Sequence, residues 1–572
     1  MDQAKLSAAK EELRARFGAA LEDDLLQQCA EFCKNNNING DDLYFKWEAL
    51  TYNTHSTAAR VLDQAALQAI KEGVEREAAK VKAQRAQMKT NLSGLLTRNL
   101  GGIGRIGMKS TTGGPLKAQS MPVKLESNVR RMAGSSSVKI ENGKEFIPRC
   151  YRYMYEKILD RSEALDDRID EFAEIVKNHY GISELGDPGA STEEEVTVVG
   201  RITFDPDSSS SEPIKLNEAT LTLESSRAMG SGVRVPLHFD TNTRVQGAMK
   251  GEGGVGLFPG AIVALKGRNG GGGLFVVSEI LTLPPLSSEP PKPSGEAFSA
   301  CIACGPFSSD MDFEYGPWQA ALNKIATEKP DVIFLVGPFV DNTHPWFKEG
   351  NVDDTPTDLF RKKFLDPLSQ LLDSIPGATA LLVPSMKDVM SSHAIFPQSE
   401  LDSSLVGDSR IHMLPNPCHV TINGVTFAAS SVDVLFHLRK EEYFRRMSEI
   451  HSVESEVKAP GTDTMARLCR HVMSQRSFYP IFPVPQDVLH EVNLNISHSE
   501  ALKLGGAAID FKPLSVLVLP SKLKHFTKII DDTTVINPSY TSKGIIISLK
   551  FNPIDMGQLV STCITTQIIR CD

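Results

Sequence analysis

Few residues of this sequence have the types and the spacing that chemistry requires. Its 13 histidines are dispersed without H-x-H or H-E-x-x-H spacing, and the sequence contains neither a G-x-S-x-G turn nor a phosphate-binding P-loop. Cys301 and Cys304 form a lone C-x-x-C pair inside an apolar run. Cys29 and Cys33 lie one helical turn apart without a second pair nearby. Both arrangements favour core packing over zinc or redox chemistry. The sequence therefore predicts no catalytic, cofactor-binding or metal-binding residue.

The chain divides into four regions. The pattern of the first region, residues 1–80, predicts a small helical bundle. Apolar residues recur there at three- and four-residue spacing, and the stretches NINGDD and NTHST supply residues that cap helices. Four short helices without a convergent group of polar residues are typical of a protein-docking module.

The second region, residues 81–145, predicts a disordered basic linker. Between residues 81 and 140, eleven basic residues are opposed by Glu126 alone, and no aromatic residue occurs. A chain of this composition repels itself and cannot bury a core. We expect a tether, with a nuclear import signal and a loose phosphate contact as the alternatives.

The third region, residues 146–290, predicts a helix followed by a β-barrel of the OB type. Helical periodicity covers residues 151–175, and five short β-prone runs follow with turn-rich connections. These runs are VTVVGRITF, ATLTLES, VRVPLHF, AIVALKG and LFVVSEI. The GRNGGGG turn between the last two precedes a strand rather than a helix, so it is a weak candidate for holding phosphate.

Barrels of this type often bind single-stranded nucleic acid, which requires a basic groove and stacking aromatic side chains. Residues 191–290 instead carry twelve acidic against eight basic residues. The aromatic residues of this stretch are Phe204, Phe239, Phe258 and Phe275. The composition favours binding of protein over binding of DNA, so we expect any DNA contact to be weak or indirect.

The fourth region, residues 297–572, predicts an α/β layered domain. Short apolar runs that end in Gly or Pro alternate with helical segments, and this order places loops together at the carboxyl ends of the strands. A proline-rich joint, PPLSSEPPKPSG, separates this domain from the barrel. The predicted fold class is a multidomain α+β chain with a helical bundle, an OB-type barrel and an α/β domain of the β-sandwich kind.

The strand-end loops resemble those of the calcineurin-like metallophosphoesterases, in which D-x-H, G-D-x-x-D, G-N-H-[DE] and G-H-x-H hold two metal ions. The corresponding residues here are 304–306, 337–341, 384–387 and 520–523. Asp341 keeps a ligand-type side chain, but Pro338 replaces the carboxylate expected to bridge the metals. One carboxylate cannot hold two ions, and metal-activated water is the mechanism of such enzymes. The resemblance therefore implies a phosphoesterase domain that has lost its metal ligands.

Loops that hold no metal are free to carry apolar side chains. Phe307, Phe339 and Met386 are such residues. They either fill the vacant pocket or face a partner, and filling the pocket is the favoured interpretation for each residue taken alone.

An OB barrel followed by a degenerate phosphoesterase domain is similar to the B subunits of eukaryotic replicative DNA polymerases. Within that family the polymerase alpha branch is the most similar. The motifs that carry this resemblance are DDLYFKWEALTYN, YRYMYEKILDRSEALDDRIDEF, ACGPF, GPFVD and VPSMKDV. The resemblance implies a non-catalytic scaffold subunit of polymerase alpha–primase in the initiation of DNA replication.

The resemblance also implies partners. The barrel and the phosphoesterase-like domain would hold the C-terminal zinc-binding domain of the catalytic subunit, and the primase subunits would be reached through that complex. Residues 1–80 would contact other replication factors. The linker contains no Ser-Pro or Thr-Pro, which departs from the cell-cycle kinase regulation expected of this family.

Composition limits the remaining possibilities for binding nucleic acid, for membrane insertion and for cellular location. A net charge of −10 argues against coating nucleic acid by bulk electrostatics. No apolar run approaches the roughly 20 residues that span a bilayer, and the amino terminus lacks the apolar core of a signal peptide. Nine cysteines at irregular spacing fit a reducing compartment, and we expect the nucleus. An active metallophosphoesterase and a single-strand-binding OB protein are the alternative functions.

Overall fold

The computed structural model divides into two compact units, Met1–Lys124 and Leu125–Asp572. In the first unit it describes residues 10, 13–14, 23–36, 43–44, 64, 67–68 and 70–71. In the second unit it describes residues 138–142, 151, 153, 155, 157–204, 215–286, 296–453, 463–505, 513–553 and 559–571. Most of the predicted basic linker lies outside the described residues. No helix in these ranges is long and apolar enough to cross a membrane.

The first unit contains helix α1, Asp23–Asn36. Leu26, Cys29 and Cys33 of this helix are buried in an apolar cluster with Leu13 and Leu67. Burial raises the pKa of the Cys29 thiol to about 11, so the thiol is protonated near neutral pH. The two cysteines pack in the interior of this unit, while the four-helix count stays a prediction.

The second unit is built from short helices and many strands. Its α-helices are α2 (Ile158–Tyr180), α3 (Arg227–Gly230), α4 (Gly316–Glu328), α5 (Pro345–Glu349), α6 (Pro356–Leu359), α7 (Asp366–Ser374), α8 (Val434–Glu441) and α9 (Thr464–Ser474). A π-helix, Phe360–Leu365, joins α6 to α7. Short 3₁₀ segments are Ser403–Leu405, Gln486–Val488, Ile496–Leu502, Thr541–Lys543 and Val560–Cys563.

The strands of this unit are numbered along the chain. They are β1 (Ile140–Asn142), β2 (Val196–Phe204), β3 (Leu221–Glu224), β4 (Arg234–Gln246), β5 (Gly254–Leu257), β6 (Ile262–Arg268), β7 (Phe275–Leu281), β8 (Phe298–Cys304), β9 (Val332–Val336), β10 (Thr379–Val383), β11 (Ile411–Met413), β12 (Cys418–Ile422), β13 (Val425–Ala429), β14 (Tyr443–Arg446), β15 (Ser448–Ile450), β16 (Val516–Val518), β17 (Phe526–Ile530), β18 (Thr533–Asn537), β19 (Ile545–Phe551) and β20 (Ile564–Arg570).

Strands β2, β3, β4, β6 and β7 form the barrel. Their order is β4-β3-β2-β6-β7, and parallel pairing of β4 with β7 closes it. Side chains that alternate along each strand, such as Val198, Leu223 and Leu265, are buried in its core. The five strands fall on the five β-prone runs, which confirms the predicted five-stranded barrel.

Helix α2 packs against the barrel but starts later than predicted. It begins at Ile158 and extends to Tyr180, whereas the periodicity predicted residues 151–175. Upstream of it, Tyr153 is buried and its hydroxyl donates to the carbonyl oxygen of Pro397 at 2.9 Å. Tyr153 makes this tertiary contact from outside the helix, and local periodicity does not reveal it.

Two six-stranded sheets form the centre of the α/β domain. One has the order β11-β10-β9-β8-β19-β20 and the other β1-β12-β13-β16-β18-β17. Phe298, Phe334 and Phe427 pack between them. The outer face of the first sheet packs against α4 and α7, and the outer face of the second packs against α8 and α9. The predicted alternation of strand and helix is confirmed from β8 to β10.

The α/β domain is joined to the barrel region by strand pairing. Strand β14 pairs with β5, and β15 pairs with β4. The carboxylate of Glu449 in β15 accepts hydrogen bonds from the N–H groups of Gly251 and Gly253. One apolar cluster includes Leu223 of the barrel and Leu435 of α8. The proline-rich joint is therefore one of several connections between the two domains.

The last residues of the expected linker are also ordered. Ile140 pairs with Ile422 in an antiparallel ladder, so β1 forms the edge of a sheet. The N–H of Lys139 donates to the side-chain oxygen of Asn423 at 2.7 Å, and Val138 is buried. The prediction of disorder through residue 145 is wrong for residues 138–142, because so short a strand depends on its pairing more than on its own sequence.

Candidate functional site

The loops after β8, β9 and β10 meet at one edge of the α/β domain, because these strands are parallel neighbours. The N–H of Gly305 donates to the carbonyl oxygen of Val336 at 2.8 Å, and the N–H of Gly337 donates to that of Val383 at 2.8 Å. Each loop therefore starts against the end of the next strand. The first three sequence-predicted loops are brought together.

The loop after β16 reaches the same edge. The N–H of Lys522 donates at 2.8 Å to the carboxylate of Asp433, which lies between β13 and α8. Burial, followed by the charges of Asp433 and Asp388, raises the pKa of the Cys304 thiol at the end of β8. The fourth predicted loop thus joins the other three. We call these four loops, with residues 430–433, the strand-end cluster.

Aromatic rings fill the space between the first two loops. The ring of Phe307 is fully buried, with its centroid 5.8 Å from that of Phe339 and 5.0 Å from that of Trp318. Met386 of the third loop is 6% exposed. The three apolar residues singled out in the sequence therefore lie inside the cluster and do not form an exposed surface.

Asp388, which sequence reasoning missed, is a buried carboxylate that directly follows the third loop of the strand-end cluster. It accepts hydrogen bonds from the N–H groups of Phe339, of Val340 at 3.1 Å and of Ser385 at 2.7 Å. A Cβ atom on Gly337 would lie 2.5 Å from this carboxylate, so the loop approaches it closely. Burial raises its pKa to about 7, although the backbone hydrogen bonds oppose that change. The side chain ties the second loop to the third.

Asp341, the one ligand-type residue of the predicted motif positions, is used within its own turn. Its carboxylate accepts from the N–H of Thr343 at 2.8 Å and from the hydroxyl of Thr343 at 2.7 Å. The neighbouring His344 is buried, with Nε2 at 2.8 Å from the carbonyl oxygen of Ser309. Across the described ranges, no three His, Cys, Asp or Glu side chains are grouped so that they could hold a metal ion.

The predicted C-x-x-C pair lies in strand β8. Cys301 and Cys304 are both buried, and burial raises the pKa of the Cys301 thiol to about 12. A thiol of this kind is protonated near neutral pH and is a weak nucleophile and metal ligand. The pair therefore belongs to the packing of the sheet.

A second polar network lies beside the strand-end cluster. His437 places Nε2 3.2 Å from the carboxylate of Glu491 and Nδ1 3.1 Å from the hydroxyl of Tyr479. The Lys522 ammonium lies 3.4 Å from Glu491. The hydrogen bond from His437 lowers the pKa of Glu491 to about 2. His437 is fully buried and Lys522 is exposed, so the network runs from the interior beneath α8 to the surface and fixes α8 in place.

The aromatic residues of the barrel do not offer a stacking surface. Phe239, Phe258 and Phe275 are at most 2% exposed, and Phe204 is half-buried. Stacking of bases requires exposed ring faces. The rings named in the sequence are instead part of the barrel core.

Two known protein families match this chain, one over the α/β domain and one over the barrel. A family described as the B subunit of DNA polymerase alpha/epsilon matches residues 300–528, and one described as the OB domain of the DNA polymerase alpha B subunit matches residues 162–283. The matched regions contain the barrel and the whole strand-end cluster. They define the class as accessory subunits of replicative polymerases.

Curated relatives narrow this class. The DNA polymerase alpha B subunit of Schizosaccharomyces pombe is 33% identical over 71% of this chain and 69% of its own length. That of Saccharomyces cerevisiae is 30% identical over 70% of this chain and 60% of its own, and that of Bos taurus is 27% identical over 69% and 60%. The chain belongs to the family of DNA polymerase alpha B subunits. A solved structure from Thermus thermophilus aligns with 48% of this chain and 100% of its own at 11% identity and a TM-score of 0.22, which supports no inference.

Proposed function

We propose that this chain is the non-catalytic B subunit of a nuclear DNA polymerase alpha–primase complex and acts as a scaffold in the initiation of DNA replication. Its relatives are named as the B subunit of that polymerase. A scaffold requires a rigid surface for partners rather than a reactive site.

We propose that the α/β domain is phosphoesterase-like and has lost its metal ligands. Asp341 is bound within its own turn, and Asp388 is bound to the backbone of two loops. Aromatic rings occupy the space between these loops. These contacts support a strand-end cluster that serves the stability of the domain, with no role for a cofactor or a metal.

The observation that carries the scaffold proposal is the continuity of the barrel with the α/β domain. Pairing of β14 with β5 and of β15 with β4, together with the shared apolar cluster, makes one body of the two. Because the two domains are already fixed to each other, a partner that binds across both loses little binding free energy to ordering them. A stable interface buries roughly 1,200–2,000 Å², and a surface spanning two domains is large enough for this.

We propose that this composite surface holds the C-terminal domain of the polymerase alpha catalytic subunit, through which the primase subunits join. Residues 1–80 act as the docking module for other replication factors, and residues 81–137 act as a basic linker. Residues 146–290 and 297–572 are the barrel and α/β domains. Any contact with DNA is indirect or weak, since the barrel aromatics are buried.

Co-expression tests this proposal. The C-terminal domain of the catalytic subunit is expressed with residues 125–572 or with residues 1–124, and size-exclusion chromatography follows. The first fragment starts before β1 so that the edge strand is retained. We expect the domain to elute with residues 125–572 and not with residues 1–124. Elution with residues 1–124 alone would overturn the proposal.

A further inference from the structure

A recess of about 370 Å³ lies where the barrel meets the α/β domain. Its floor comes from the barrel strands and the segment after β7, and its wall comes from α9 and the turn between β17 and β18. The volume is within the range of pockets that bind organic groups, about 300–1,000 Å³.

Contacts between the two domains fix the wall of the recess relative to its floor. The Gln475 side chain of the α9 C-cap accepts from the N–H of Ile262 at 2.9 Å and donates to its carbonyl oxygen at 2.8 Å. Arg470 of α9 lies 2.8 Å from Glu252 of the barrel and 3.3 Å from Asp531. The recess is therefore preformed and does not depend on a ligand to shape it.

The lining sets the chemistry of the occupant. Apolar side chains, including Val255 and Ile280 of the floor and Met473 of the wall, line the recess. The charged groups of the rim are mostly paired within the chain. Arg467 and His471 of α9 bind Glu442 at 2.7 and 2.8 Å. Arg470 is paired with Glu252 and Asp531. A charged group placed on this floor would lose hydration without gaining a partner.

One rim carboxylate differs from the others. Asp532 lies beside Asp531 at the mouth of the recess, is exposed, and has no ion pair with the residues that the structure describes. Val453, also at the mouth, is 54% exposed and apolar. The mouth thus combines an apolar edge with one uncompensated negative charge.

We propose that this recess receives an uncharged apolar side chain of the partner protein, next to a lysine or arginine that meets Asp532. The inference rests on the proposed function and specifies which part of the composite surface anchors the partner. Apolar anchors that enter preformed pockets carry most of the binding free energy of many interfaces. Complementary charges at the rim chiefly raise the association rate.

Filling the recess from within tests the proposal. Full-length Ser474→Trp places an indole into the space, and Ser474→Ala is the matched control because it alters the same position without adding bulk. Titration against the C-terminal domain of the catalytic subunit should show at least a ~30-fold loss of affinity for Ser474→Trp, as expected for a hot spot. Ser474→Ala should stay within about twofold. Nile red, an uncharged apolar dye, should bind the unmodified chain and be displaced by the partner.

Two further variants keep the test independent of folding. Val453→Asp changes only the exposed edge and should weaken binding by about tenfold. Asp532→Asn should weaken it by a few-fold and make it less sensitive to salt. Affinity that survives both Ser474→Trp and Val453→Asp would overturn the recess as the anchor while leaving the proposed function intact. Failure of the unmodified chain to bind the domain would overturn both.

Discussion

At the strand-end cluster, Asp388 binds backbone amides of its own domain. At the barrel junction, Arg470 joins Glu252 of one domain to Asp531 of the other. Aromatic rings fill the first region, whereas the second leaves a recess of about 370 Å³. In this fold the edge where loops gather is filled with side chains, and the open recess lies where two domains meet.

The largest expected effect tests whether the strand-end cluster is a true core. Phe307→Ala removes a fully buried ring and should lower the free energy of unfolding of residues 125–572 by about 3–5 kcal/mol. Met311→Ala is the control, because that side chain is 78% exposed and should change the value by less than about 0.5 kcal/mol. Urea unfolding measures both. Equal effects would show that the loop is not packed as described.

The next effect tests the rigidity of the junction. Gln475→Ala leaves the N–H and carbonyl groups of Ile262 without their side-chain partner, each of which costs about 1–3 kcal/mol when buried. We expect a loss of about 2–4 kcal/mol in urea unfolding and an earlier loss of hydrogen-exchange protection in β6. Gln567→Ala, on an exposed part of β20, should leave both unchanged. A similar response of the two variants would show that Gln475 does not join α9 to the barrel.

The third prediction concerns pH. Burial raises the pKa of Asp388 from 3.8 to about 7, so the folded chain holds this proton more tightly than the unfolded chain. The contribution of the protonated carboxyl to stability is full below about pH 4 and is lost as pH rises toward 7. Relative to Asp388→Asn, the unmodified chain should lose about 4 kcal/mol between about pH 4 and pH 8.

Urea unfolding at several pH values measures this difference. Ser391→Ala alters a neighbour that does not titrate, and it should follow the profile of the unmodified chain. Parallel profiles for the unmodified chain and Asp388→Asn would show that the carboxylate titrates at its ordinary pKa.

The smallest expected effect is an absence of chemistry at the strand-end cluster. Purified protein should contain less than stoichiometric zinc, manganese or iron by elemental analysis, and it should not hydrolyse a generic aryl phosphate diester. Asp341→Ala should change neither result, because this carboxylate is bound to Thr343. Two metal ions per chain, with turnover that Asp341→Ala abolishes, would restore the enzymatic alternative.

The sequence allowed prediction of the elements whose own pattern is strong. The barrel runs and strands β8, β9 and β10 have continuous or alternating apolar residues, and each was found where predicted. Strands β14 and β15 were missed because their segment, YFRRMSEI, is rich in charge. They are strands because β4 and β5 supply their hydrogen-bond partners.

The strand-end cluster was predictable in part, because its loops follow strands with a strong apolar pattern. The types and order of the four loops were visible, including the loss of ligands at Pro338. Asp388 was missed although it directly follows the third loop in VPSMKDV, since only the fold shows that it is buried and faces three amides. The recess could not be predicted, because its walls come from residues that are distant in sequence, such as Ile262 and Gln475.

The positions of β14 and β15 along the chain limit how recombination can exchange its domains. Residues 162–283 match a domain family, yet the two strands that pair with β5 and β4 of this region lie at residues 443–450. Recombination that transferred residues 162–283 alone would deliver a barrel without these strands. Crossovers between the two segments should therefore be selected against, and working chimeras should exchange the barrel and the α/β domain together.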